Sequence, residues 1–262
     1  MGRAKETKRM RDEAREARKS DRLRKAAEKF ADEREHTAPA LRPMNKKQQK
    51  YLDYLGSRKI IIVNGVFGSG KTFMASAYAG DLLRKNEIDK IIVARPYVQT
   101  GKTSGFKPGN AMQKLWPYLR SMMDTICRRV GKGAFAAMLG DGQNSRIEIC
   151  EVESIRGRSF DERCFVLIDE AQQTNPEEML SIITRISDQA TLVIMGDNSQ
   201  RDIPGKSGLA WVTDFFTRHP DPEVGMISFD SPDDVVRSGL GRQIALNLIK
   251  DRANHIWTPV SE

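Results

Sequence analysis

Residues 63–72 read VNGVFGSGKT. Immediately upstream, KIIIVN at 59–64 is β-branched and apolar along its length, the mark of a strand buried on both faces. Downstream, KTFMASAYAGDLLRK at 71–85 carries an alanine-rich helical pattern. A strand therefore enters a loop with glycines at 65, 68 and 70, and a helix leaves it. Glycine permits positive φ and lets backbone approach a ligand closely. Successive N–H groups of such a loop, beside a helix N-terminus, make a concave seat for an anion. The spacing G-x-x-x-x-G-K-T is complete. Gly65, Val66, Phe67, Gly68, Ser69, Gly70, Lys71 and Thr72 thus read as a cradle for the phosphates of ATP. Lys71 would reach the β- and γ-phosphates, and the Thr72 hydroxyl would hold Mg²⁺. A glycine turn without a ligand is the competing reading, and the strand before and helix after argue against it.

Working outward, further β-branched runs lie at 90–94, 146–150, 164–168, 191–195 and 225–229. Helical patterns fall at 111–128, 176–187, 208–217 and 232–252. Strand and helix in alternation, with strands apolar on both sides, predict an α/β doubly wound fold with a mostly parallel sheet and helices on both faces. No internal repeat is visible.

In such a sheet, ligands sit at the carboxyl ends of the strands. CFVLIDEAQ at 164–172 is an apolar strand ending in Asp169-Glu170. A carboxylate there is costly unless it meets a cation. Asp169 is the expected second Mg²⁺ residue, and Glu170 the group that polarises an attacking water. A pair of acids opening a helix is the alternative. The run TLVIM at 191–195 then delivers GDNSQRDIP, placing Gln200 where an amide can meet the γ-phosphate or that water. Gln48, in MNKKQ ahead of the first strand, has the two-faced amide needed to read an adenine edge; it equally fits the polar first turn of a helix.

The chain has 262 residues and a formal net charge of +8. Residues 1–40 hold 13 Lys/Arg and 9 Asp/Glu and show no apolar face. Opposite charges at i,i+4, such as Arg9 and Glu13, suit a solvated helix or a disordered arm. Ala38-Pro39-Ala40 and Pro43 read as a linker, so the expected division is a charged tail at 1–40 and one ATPase domain at 41–262. The basic balance favours polyanionic partners. Cys127, Cys150 and Cys164 form no C-x-x-C pair, as in a reducing compartment. With no apolar run long enough for a membrane span and no secretory signal, a cytoplasmic location is expected. Trp116, Trp211 and Trp257 read as packing residues.

GVFGSGKT, DEAQ and GDNSQ together resemble motifs I, II and III of superfamily 1 helicases. A closer resemblance is to the PhoH-like family of ATPases. It is carried by ARPYVQTGKTSGFKPGNAMQKLWPYLRSMMD at 94–124, ESIRGRSFDERCFVLIDEAQQTNPEEM at 153–179, TRISDQATLVIMGDNSQRDIP at 184–204 and DDVVRSGLGRQI at 233–244. It runs from about Met44 to about Ile249. The resemblance implies a RecA-like P-loop core that binds and hydrolyses ATP and acts on RNA or single-stranded nucleic acid. The chain departs from the family pattern at Val66-Phe67, where relatives often carry Pro-Ala, and at Gln99 and Lys102, where a glutamate-containing loop is usual. No acidic cluster outside the ATPase motifs suggests a nuclease.

Phosphoryl transfer also needs an arginine to neutralise developing charge. In superfamily 1 helicases a second RecA-like domain supplies it, and fewer than sixty residues follow GDNSQRDIP here. The expectation is a homo-oligomer, a ring such as a hexamer, with nucleotide near the subunit interface. Arg185, placed in the helix after the DEAQ strand, and Arg237, in the last family motif, are the leading candidates. Arg201 and Arg242 are further ones. Arg95 and Tyr97, Lys102, Phe106 and Lys107 in the loop 101–110, and Arg156-Gly157-Arg158 are expected to meet nucleic acid. Two other functions compete: a small-molecule kinase, against which DEAQ and GDNSQ argue, and a nucleotide-gated assembly factor with little turnover.

Overall fold

Six strands hydrogen-bond into one all-parallel sheet in the computed structural model. The structure describes residues 38–96, 111–140, 145–155, 158, 160, 163–201, 204–254 and 256. The arm 1–37, the loop with Tyr97, Gln99, Lys102, Phe106 and Lys107, Arg156-Gly157, and Trp257 lie outside the described residues. In chain order the elements are α1 (Lys46–Ser57), β1 (Ile60–Gly65), α2 (Lys71–Arg84), β2 (Lys90–Arg95), α3 (Ala111–Val130), α4 (Lys132–Met138), β3 (Ile147–Glu151), α5 (Val152–Ile155), β4 (Cys164–Ile168), α6 (Pro176–Ile183), β5 (Thr191–Gly196), α7 (Gly208–Arg218), β6 (Val224–Phe229) and α8 (Gly239–Ala253). The strand order is β3-β2-β4-β5-β1-β6. This is the RecA-like P-loop arrangement.

Alternation along the strands divides the core. Ile61, Val63, Ile91, Val93, Phe165, Leu167, Val193 and Met195 face α1, α2 and α3. Ile62, Ile92, Ala94, Val166, Ile168, Leu192 and Ile194 face α5, α6 and α7. The central strands are apolar on both sides because each side is roofed by helices. Among the described residues no helix is long and apolar enough to cross a membrane.

Three local outcomes differ from the sequence reading. The helix expected over 176–187 stops at Ile183. The Thr184 hydroxyl bonds back to the carbonyls of Leu180 and Ser181, at 2.9 and 3.2 Å, and Ile186 then bridges Phe160. Arg185 is therefore in a turn and not in a helix. The pattern at 232–252 splits into a 3₁₀ turn at Pro232–Asp234 and a helix from Gly239. Between them Val235 is buried against Val66, and the Val236 N–H bonds the Gly68 carbonyl at 3.1 Å, strapping this segment to the loop. Helix α1 buries Gln48, Tyr51 and Leu55 and is capped by the Asn45 side chain. Its sequence is too polar to announce more than a first turn.

One ionic group is built into the sheet. Glu148 on β3 is 2.9 Å from the Lys90 ammonium on β2 and receives both terminal nitrogens of Arg158. Arg158 is thus committed to a buried carboxylate, which corrects its expected place on a nucleic-acid surface. Burial pushes the Glu148 carboxyl up, and the hydrogen bonds from Arg158 and Lys90 more than offset this, leaving it below its ordinary value. A depressed carboxylate stabilises the fold above its unfolded pKa, and that stability is lost as pH falls through the folded value. Glu148→Gln should cost about 3 kcal/mol at neutral pH, since it takes the carboxylate from the buried Lys90 ammonium and the partly exposed Arg158. In urea unfolding the difference from wild type should shrink as pH drops below about 4.

Candidate active site

Parallel strands put the ends of β1, β2, β4 and β5 on one edge, and the loops leaving that edge converge. Gln48, Phe67, Gly68, Gly70, Lys71, Thr72, Asp169, Glu170, Asp197, Gln200 and Arg237 all line one pocket of about 470 Å³, a size suited to a small-molecule ligand. The loop residues Gly68 and Gly70 have φ of 81° and 85°, conformations that a side chain disfavours. Gly70 then opens α2 with no side-chain cap, so the helix's first N–H groups remain for an anion.

The Lys71 ammonium is folded onto its own loop, donating to the carbonyls of Gly65 (2.8 Å) and Val66 (3.3 Å). Burial lowers its pKa, opposed by the charges of Asp169, Asp197 and Glu170, while Arg252 adds to the lowering. The Ser69 hydroxyl closes the loop on the Val66 carbonyl at 2.9 Å. Val66 and Phe67, the departure from the family pattern, pack with Val235, Ala245, Leu246 and Ile249. The apolar pair seats α8 over the loop.

Across the pocket, the Thr72 hydroxyl donates to Asp169 Oδ1 at 3.3 Å. Burial raises the Asp169 carboxyl, as does the charge of Glu170, against Arg95, Lys71 and the Thr72 hydrogen bond. A partly buried carboxylate beside a hydroxyl, costly without a cation, fits Mg²⁺. Among the described residues no group of three acidic, His or Cys side chains could hold a metal, so phosphate and water would complete its shell. Glu170 occupies the left-handed region at φ 54°, ψ 38°, uncommon for a residue with a Cβ. Its Oε2 accepts from the Gln172 amide.

Gln172 Oε1 in turn accepts the Asp197 N–H at 3.1 Å, joining the DEAQ segment to the end of β5. Asp197 also accepts from the Ser199 hydroxyl (2.5 Å), the Gln200 amide (2.9 Å) and Arg252 (3.3 Å). Gln200 therefore lines the pocket with its amide already held. The Gln48 amide is engaged too: its Oε1 accepts the Met44 N–H and its Nε2 donates to the Ser69 carbonyl, both at 2.8 Å. Gln48 braces the loop in this structure, rather than displaying a free edge.

The four candidate arginines divide. Arg237 lines the pocket and lies against Gly68. Arg185 is exposed beyond α6, at the end of the sheet where β5 begins, away from the phosphate loop. Arg201 spends its guanidinium on the carbonyls of Gln172, Thr174 and Pro204. Arg242 is exposed on α8. Arg95, expected on a nucleic-acid surface, turns toward the acids, with Nη1 3.9 Å from both Asp169 and Glu170. Sequence reasoning misses Asp197, Gln172 and Arg252. Asp197 follows an apolar strand just as Asp169 does, and that signal is available. Nothing in the sequence around Arg252 marks it.

A family model described as PhoH-like protein matches residues 40–248. Protein PhoH of Escherichia coli (strain K12) is 34% identical over 205 residues, covering 78% of this chain and 56% of that protein. The PhoH-like protein of Bacillus subtilis (strain 168) is 36% identical over 165 residues, covering 62% and 50%. The chain thus spans about half the length of these curated relatives. Among solved structures, the large terminase from the thermophilic bacteriophage D6E superposes with a TM-score of 0.49 at 15% identity, over 84% of this chain and 52% of that one. The UvsW helicase from bacteriophage T4 gives 0.45 at 14% identity, over 74% and 62%.

Proposed function

The chain belongs to the PhoH-like protein family, and on the chemistry of its pocket we propose that it binds ATP with Mg²⁺ and hydrolyses it to ADP and phosphate. The observation that carries this is the meeting of Thr72 and Asp169 at 3.3 Å, with Lys71 on the same loop and Glu170 next in the chain. The loop N–H groups and the Lys71 ammonium seat and neutralise the β- and γ-phosphates. Thr72 and Asp169 would hold Mg²⁺, which when bound draws charge from the phosphate oxygens. Glu170 orients a water and takes its proton as the oxygen attacks the γ-phosphorus and the bond to the ADP oxygen breaks. Gln200, tied to Asp197, positions that water or the γ-phosphate. Gln48 braces the loop through the Ser69 carbonyl.

We further propose that turnover is coupled to RNA or another single-stranded nucleic acid. The net charge of +8 supports a polyanionic partner. Of the four candidate arginines, Arg237 is the one that lines the pocket beside the loop. A second copy in a ring, such as a hexamer, would add one from outside, and Arg185, exposed and remote in its own subunit, suits that donor role. A specific observation favours a second reading, a nucleotide-gated assembly factor with little turnover: Lys71 and Glu170 are both restrained by contacts within the chain. Phosphate release and sedimentation of the full chain, with ATP, Mg²⁺ and single-stranded RNA present or omitted, test these readings. RNA-stimulated release from an ATP-dependent oligomer is expected. Tight ATP binding without release would favour the second reading, and a fully active monomer would remove the ring.

A further inference from the structure

Arg95 ends β2 and stands between two groups that the proposed reaction leaves unconnected. On one side its Nη1 is 3.9 Å from Asp169 Oδ2 and from Glu170 Oε1. On the other its guanidinium lies over the ring of Tyr118, 5.2 Å from the centroid. Tyr118 is on α3 and is 51% exposed, unusual for a large aromatic whose neighbours Leu115, Leu119 and Met122 are core. The acids line the pocket and the ring is exposed, and one planar cation lies between them.

We propose that Arg95 and Tyr118 form a contact site for an unpaired nucleotide, and that Arg95 is a positioning residue restraining Glu170 until that site is filled. The proposal rests on the ATP-hydrolysis reading. At 3.9 Å the guanidinium attracts both carboxylates without a close hydrogen bond to either, so the pairing is weak enough to exchange. With the Gln172 amide on Oε2 and the Arg95 charge near Oε1, the Glu170 carboxylate is drawn toward these two partners rather than toward a water. A base stacking on Tyr118 competes with the guanidinium for the ring. The nucleotide's phosphate gives Arg95 a better partner than two shared carboxylates, since arginine meets phosphate bidentately. Arg95 then leaves Glu170, and the carboxylate becomes available as a base. The strand is read by stacking and charge, so the site takes single strands with little sequence preference.

The test measures ATP turnover and oligouridine binding by the full chain, in wild type and in Arg95→Ala, Arg95→Lys, Tyr118→Ala and Tyr118→Phe. Arg95→Ala should raise strand-free kcat several-fold, change KM for ATP by less than about twofold, and lose most of the further stimulation by oligouridine. Arg95→Lys should restore part of the restraint, keeping the charge without the planar face. Tyr118→Ala should weaken oligouridine binding about tenfold and blunt stimulation, and Tyr118→Phe should retain both. If wild type turns over but Arg95→Ala is no faster without strand, the restraint is refuted and hydrolysis stands. If Tyr118→Ala binds oligouridine as wild type does, the contact site is refuted. If neither wild type nor Arg95→Ala releases phosphate while ATP binds tightly, both the proposal and the hydrolysis reading fall.

Discussion

Glu170→Gln should lower ATP turnover by about 10²–10⁴ while leaving ATP affinity within a few-fold of wild type. The substitution keeps the side chain's shape and its carbonyl oxygen can still accept from Gln172, so the left-handed turn at 170 has no reason to relax. It keeps a group that can orient water and removes the ability to accept a proton, the step the proposed reaction assigns to Glu170. Lys71→Ala should behave differently. Its ammonium is the cation on the phosphate loop itself, so affinity for ATP should fall along with turnover. Equilibrium ATP binding and phosphate release measured on the same preparations separate the two. A Glu170→Gln chain that turns over within tenfold of wild type would mean that another group takes the proton. Arg95 sharpens the comparison, since with one carboxylate neutralised its remaining partner is Asp169.

The sheet was legible because its strands are short, β-branched and separated by helical patterns, and because roofing on both faces leaves no polar alternation to confuse them. That the glycine-rich loop and Asp169-Glu170 share one pocket was legible for a different reason: both follow apolar strands, and the ends of parallel strands converge. Helix α1 was not, since it buries only three side chains and one of them is a glutamine. The break at 235–238 was not, because Val235-Val236 continue an apolar pattern whose real use is to grip the loop at Gly68. Arg158 read as a free basic residue because its partner, Glu148, is buried on the edge strand β3, where a carboxylate is not expected. Arginine roles were the least legible of all. A guanidinium reaches far from its Cα, so its position in the chain says little about whether it meets phosphate, carboxylate or carbonyl.

Arg252 is such an arginine, and it carries the other large expected effect. It approaches the phosphate loop from the last turn of α8, 3.3 Å from Asp197, close enough to Lys71 to push its pKa down. Asp197 is almost wholly buried and gathers Ser199, Gln200 and Arg252 while its N–H is held by Gln172. Asp197→Ala should therefore act in two ways. It should cost about 2–3 kcal/mol of stability, less than the loss of a fully buried partner because Arg252 is partly exposed to solvent. It should also lower turnover by about 10²-fold, because Gln200 loses its hold and an unpaired cation is left beside Lys71. Arg252→Ala alone should cost less stability, since it leaves Asp197 its neutral donors. The double variant should then be more stable than the sum of the singles predicts, by about 1–2 kcal/mol. Additive losses in urea unfolding would show that the two side chains act independently. Coupled losses would show that Arg252 ties α8 to the pocket through Asp197, beside the apolar packing of Val66 and Phe67.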